Sequence, residues 1–325
     1  MEYRVYISPD SKKIENLIVI YPGMDNLTVL SSTQPLTSNN INKYDLFAKI
    51  TAQFMVPGSA VIVIEYPAPH EWGTPINFSV LTEGIASTLG AALDKIRADS
   101  FELYIKRIDL GAHSYGIVPL FWSLANNIYE KVLGTHAKCE KNLHLLEPYG
   151  LAAIRDEENT RAYRDQEVVA AARKRFHGIV SAEKLSEAAK EEITLLRSFD
   201  VKNVNIMFGM LNPIAEVHNS YGAIDPKEAH IKIMKLDGVG HGAGLLDILK
   251  SQLDKKYAPD YALKSFQILL SAWIFSLHGI KKTDTQEEIM HLGQNIQKKI
   301  ESLCIEAGIM ASTDSPSTQK LKSKL

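Results

Sequence analysis

Short runs of apolar residues recur along this chain with helix-like stretches between them, and nothing else limits its possible folds so strongly. Residues 17–21 (LIVIY) and 60–66 (AVIVIEY) are apolar at almost every position, and 107–111 (RIDLG), 142–146 (NLHLL), 204–208 (VNIMF) and 231–236 (IKIMKL) have the same strand character. A strand that is apolar on both faces belongs inside a parallel sheet covered on both sides. Between these runs lie helix-like segments at 45–56, 79–99, 116–128 and 261–278. In the second of them Leu81, Ile85, Leu89, Ala92 and Ile96 recur near a 3.6-residue period. Strand–helix alternation of this kind predicts an α/β fold, a mostly parallel central sheet flanked by helices.

Two regions break the alternation and set the expected domain plan. Residues 151–199 are charged, alanine-rich and without a strand signal, and they fall between two strands. They read as a helical cap inserted into a core made of 1–150 and 200–280. Residues 281–308 hold an amphipathic helix in which Ile289, Leu292, Ile296, Ile300 and Leu303 share one face, expected to pack back on the body, with a dimer or partner helix as the alternative. Residues 309–325 read as a flexible polar tail.

Composition narrows the function. The chain of 325 residues is 45% hydrophobic and 23% charged with a net charge of −2, an ordinary globular balance with no basic excess for nucleic acid. The two cysteines, Cys139 and Cys304, fit a reduced intracellular protein better than a disulfide framework. The first residues, MEYRVYISPD, lack the apolar centre of a signal peptide, and no run of about 18 apolar residues offers a membrane span. The last three residues, Ser323, Lys324 and Leu325, spell a peroxisomal address. In a eukaryote this predicts an import receptor as partner and the peroxisomal matrix as location; otherwise the expectation is cytoplasmic. His-Glu-x-x-His, zinc-spaced cysteine pairs and a phosphate loop are all missing from the sequence, so no metal and no cofactor is expected.

The strand at 107–111 runs into Ala112, His113, Ser114, Tyr115 and Gly116, then into an apolar helix with Pro119 in its first turn. This is a small–x–Ser–x–Gly pattern between a buried strand and a helix. A chain that leaves a strand and enters a helix so quickly holds the serine in a strained conformation with its hydroxyl projecting. Residues two before and two after the serine come close together, so both must be small, and Ala112 and Gly116 are. His113 is expected to support the turn structurally.

In these residues and in its order of elements over about 1–280 the chain resembles the α/β-hydrolase superfamily, where such a turn is the nucleophile elbow. The resemblance implies an α/β-hydrolase fold and a serine hydrolase that cleaves a carboxylic ester or thioester of a small-molecule acyl substrate. Ser114 would be the nucleophile. The base would be His241, which follows the last strand in a glycine-rich turn (KLDGVGHGAG). Backbone N–H groups of Met24, in the turn after an early strand (YPGMDN), and of Tyr115 would form the oxyanion hole. The acid is where the sequence departs from the family pattern: the turn after the penultimate strand presents Asn212, which carries no charge. Glu147, at the end of the strand LHLLE, is the preferred candidate, with Glu216 and Asp225 further along the other loop as alternatives. Two other readings stand beside this one. One is a non-catalytic small-molecule-binding protein on the same fold; the other is an acyltransferase or lyase using the same triad. Gly238, Gly240 and Ala243 also spell a dinucleotide-binding turn, but the strand and acidic residue it requires do not follow.

Overall fold

The computed structural model describes residues 1–23, 43–65, 78–113, 116–134, 138–146, 148, 196, 199–209, 230–236, 239, 259–279 and 286–306. Its strands are β1 (Glu2–Ile7), β2 (Lys13–Tyr21), β3 (Ser59–Glu65), β4 (Glu102–His113), β5 (Glu140–Leu146), β6 (Asn203–Gly209) and β7 (Ile231–Leu236). Its helices are α1 (Lys43–Phe54), α2 (Phe78–Ala98), α3 (Ile117–Ala125), α4 (Ile128–Leu133), α5 (Pro259–His278) and α6 (Gln286–Glu306). The seven strands form one sheet in the order β1-β3-β2-β4-β5-β6-β7. All neighbours are parallel except β1, which runs antiparallel to β3 with Arg4 opposite Val63.

Alternation along each strand divides the core into two layers. Leu17, Val19, Ala60, Ile62, Ile108, Leu110, Leu143, Leu145 and Ile206 face one side, under α2, α3 and α4. Ile18, Ile20, Val61, Val63, Leu146 and Met207 face the other, under α1, α5 and α6, where Ile296 and Ile300 of α6 are fully buried. A mostly parallel sheet with helices on both faces is the α/β architecture expected from the alternation of strands and helices. The second layer centres on Trp273, whose indole meets β4 with the outer edge of its six-membered ring. A Cβ at Gly111 would stand 2.3 Å from the ring, so only glycine fits beneath it. Trp273 Nε1–H donates to Thr51 Oγ1 at 3.0 Å, so the buried indole keeps its hydrogen bond and ties α5 to α1.

Three features differ from the sequence expectation. The edge strand β1 is not among the strands expected, because its apolar residues alternate with Glu2 and Arg4. β4 begins at Glu102, five residues early, where its side chains are half exposed. The single helix expected at 116–128 is two helices, broken at Asn127, which takes the left-handed conformation with φ of 53°. The expected cap, 151–199, lies almost wholly outside the described residues, as do the tail 309–325 with Ser323, Lys324 and Leu325, and the Gly238, Gly240 and Ala243 turn.

Candidate active site

Because β2 to β7 run parallel, Tyr21, Glu65, His113, Leu146, Gly209 and Leu236 end at one edge of the sheet. The expected site residues all follow these ends in the chain. Met24 comes after β2, Ser114 and Tyr115 after β4, Glu147 after β5, Asn212, Glu216 and Asp225 after β6, and His241 after β7. All eight lie outside the described residues. The structure supplies the frame from which they depart.

That frame is tight between β2 and β4. A Cβ at Gly116, where α3 begins, would stand 2.2 Å from the Tyr21 carbonyl oxygen and 2.6 Å from that of Pro22. The obstacle is backbone, which cannot swing aside. Glycine is therefore needed here because the start of α3 presses on the end of β2 and the residue after it. A Cβ at Gly23 would likewise stand 2.9 Å from His113 Nδ1 and 3.2 Å from the His113 carbonyl oxygen. Two glycines thus let the chain leaving β2 and the chain leaving β4 touch.

Polar groups lock the contact. The Gly23 N–H donates to Tyr44 Oη at 2.6 Å, and Tyr44 Oη lies 2.8 Å from His113 Nδ1. Both side chains are buried, at 1% and 3% exposure, so each hydrogen bond acts in a low-dielectric setting where it is strong and costly to lose. His113 therefore has the structural surroundings expected of it, but its partner Tyr44, at the start of α1, carried no signal in the sequence. The next residue of α1, Asp45, pairs with Arg4 of β1, and Arg4 Nε donates to Glu65 Oε1 at 3.0 Å. Burial pushes the Asp45 carboxyl up to about 6, with the neighbouring Glu65 charge adding to it, while Arg4 and a hydrogen bond from Tyr6 pull the other way. Burial raises Glu65 too.

A second cluster has the composition of a catalytic triad without its chemistry. His144 Nε2 lies 3.0 Å from Asp109 Oδ1, and His144 Nδ1 lies 2.8 Å from Ser276 Oγ. The Ser276 hydroxyl, however, donates to the Trp273 carbonyl at 2.7 Å. His144 is completely buried and stands edge-on to the Trp273 ring at 5.3 Å. Asp109 also accepts from Arg107 Nε and Nη2 and from Asn142 Nδ2, at 3.1, 2.8 and 3.2 Å. Burial would raise the Asp109 carboxyl, but the His144 hydrogen bond and the His144 and Arg107 charges outweigh it and hold the group below the usual range. This cluster is mid-sheet, inside the body, with its hydroxyl already committed. A cavity of about 100 Å³ beside it, lined by Asn16, Ser59, Arg107, Asp109 and His278, opens at the opposite edge from the serine turn.

Among the described residues no group of histidine, cysteine and carboxylate side chains could hold a metal ion, and no helix is long and apolar enough to cross a membrane. Cys139 is a free thiol, raised by burial.

No protein-family model matches the chain, and no curated protein matches it. Solved structures that the chain matches in part include carboxyl esterase 2 from the mycorrhizal fungus Tuber melanosporum, at a TM-score of 0.44 and 13% identity over 82% of this chain and 81% of that one. They also include an esterase from Pyrobaculum calidifontis, at a TM-score of 0.43 and 11% identity over 93% and 80%. A third is brefeldin A esterase, a bacterial homologue of human hormone sensitive lipase, at a TM-score of 0.45 and 11% identity over 91% and 73%.

Proposed function

We propose that this protein is a serine hydrolase that cleaves a carboxylic ester or thioester through an acyl-enzyme. The observation that carries the reading is the contact between the chains leaving β2 and β4. It requires glycine at both 23 and 116, and it joins the segment before Met24 to the turn that holds Ser114. A nucleophile and an oxyanion hole must share one spot, and a packed junction between those two strand ends is what such a spot needs.

In this reading His241 takes the Ser114 proton as the serine oxygen attacks the substrate carbonyl carbon. The Met24 and Tyr115 N–H groups hold the oxyanion, each donor contributing about 3–4 kcal/mol. The alcohol or thiol leaves with the proton from His241, and water, activated by the same imidazole, releases the acyl group. Glu147 orients His241; Glu216 and Asp225 are the other acids within the same scheme. The reach is reasonable. β4 and β7 are three strand spacings apart, about 14 Å, and the five residues from Leu236 to His241 span up to about 16 Å when extended. Glu147 follows β5, one spacing from β4.

The insertion at 151–199 would roof the pocket, and the terminal Ser323, Lys324 and Leu325 would direct the protein to peroxisomes in a eukaryote. Asn212, uncharged where many hydrolases carry aspartate, supports a second reading, a small-molecule-binding protein that keeps the pocket without turnover. Steady-state hydrolysis of 4-nitrophenyl butyrate separates them. Wild type is expected to turn over, and Ser114→Ala to lose at least about 1000-fold in kcat; absence of turnover in wild type favours the binding reading.

A further inference from the structure

We propose that Tyr44 is a positioning residue for the oxyanion hole. It sets the turn after β2 at a fixed height against the serine turn; this rests on the serine-hydrolase reading above. Gly23, His113 and Tyr44 meet at a single oxygen. The Gly23 N–H donates to Tyr44 Oη at 2.6 Å, and the same oxygen lies 2.8 Å from His113 Nδ1. Gly23 directly precedes Met24, and His113 directly precedes Ser114. One buried phenol therefore couples the residue before the expected oxyanion donor to the residue before the expected nucleophile.

The Gly23 N–H donates to Tyr44 and is therefore committed, which leaves the Met24 N–H as the expected oxyanion donor. With Oη accepting from the Gly23 N–H, its own O–H is free to donate to His113 Nδ1. Tyr44 is held for this task from behind. It belongs to the first turn of α1, where Asp45 is anchored to Arg4 of the edge strand, and Phe47 packs against Trp273 with ring centres 5.5 Å apart. Tyr44 acts through the backbone of Gly23.

A positioning group of this kind affects the transition state more than the ground state, because the oxyanion exists only there. The test is Tyr44→Phe, which removes one oxygen and keeps the ring. With 4-nitrophenyl butyrate, kcat is expected to fall roughly 10- to 100-fold with KM little changed, the scale of a 1 Å misplacement. Affinity for a trifluoromethyl ketone that forms a tetrahedral adduct should weaken in parallel with kcat/KM, which a loss of packing alone would not produce. A wild type that reacts and a Tyr44→Phe protein with the same kcat and the same ketone affinity would overturn the assignment while leaving the serine hydrolase standing. A Tyr44→Phe protein that loses kcat and gains KM equally, with unchanged ketone affinity, would also overturn it. A wild type inert toward both reagents would remove the hydrolase reading and this one together.

Discussion

Two polar networks lie on the same side of the sheet, and they differ in what they hold. Asp109 and His144 sit within β4 and β5 against Ser276 of α5, where His144 is completely buried and the serine hydroxyl is given to a main-chain carbonyl. Gly23, Tyr44 and His113 sit at the edge where the parallel strands end, and they bind a backbone N–H in a turn. The first network has the residue types of a hydrolytic triad and serves as a packing device. The second has none of them except a histidine, yet it joins the chain leaving β2 to the end of β4. Residue type alone does not mark a site. Position at the carboxyl edge of the sheet does, because only there can a side chain leave the core and meet a substrate.

The contrast can be broken by substitution. The largest effect is expected at the edge. Gly116→Ala puts a Cβ 2.2 Å from the Tyr21 carbonyl oxygen, so the turn must withdraw from β2. The predicted outcome is a loss of about 100-fold or more in kcat/KM for a short acyl ester, read in steady-state kinetics beside a thermal melt that stays cooperative. In the mid-sheet network the balance should reverse. Asp109→Ala strips the acceptor from His144, Arg107 and Asn142 and is expected to cost about 3–5 kcal/mol of stability in urea titrations, with kcat and KM of the folded protein unchanged. If Asp109→Ala instead abolished turnover and left stability intact, the two networks would have exchanged roles.

A smaller, pH-dependent effect should sharpen the comparison. Asp45 stands beside Tyr44 and is pushed by burial to about 6 in the folded protein, against an ordinary value of 3.8. Between these values the native state holds a proton that the unfolded chain has released, so stability falls as pH rises from about 4 to 6. Asp45→Asn should flatten this segment of the stability–pH curve, read as denaturation midpoints across that window. Asp109 carries the opposite sign. Its carboxyl is held below the usual range, so its contribution is present above about pH 4 and lost as the pH falls further.

Much of the scaffold was legible in the chain because burial on both faces leaves a run of apolar residues that no other environment tolerates. Residues 17–21, 60–66 and 142–146 fall inside β2, β3 and β5 or within a residue of them for this reason. The edge strand escaped because β1 is covered on fewer sides and alternates with Glu2 and Arg4, a pattern shared with loops. The broken helix after the serine turn had a signal in Asn126 and Asn127, since asparagine tolerates the left-handed conformation that Asn127 adopts. The glycine at 116 was recognisable as necessary, but one obstacle was not: the carbonyls of Tyr21 and Pro22, about 95 positions away in the chain, press on it. Tyr44 could not have been found at all. Its role comes from a contact with His113 across 69 positions, and no local pattern encodes a pairing at that separation.

The central claim is that Ser114 is an activated nucleophile. Treating the 325-residue protein with a fluorophosphonate and mapping the adduct by mass spectrometry tests it most directly. The account predicts one covalent phosphonyl group, on Ser114, formed at a rate that collapses in His241→Ala. An adduct on another serine, or an unmodified Ser114 after prolonged exposure, would contradict it.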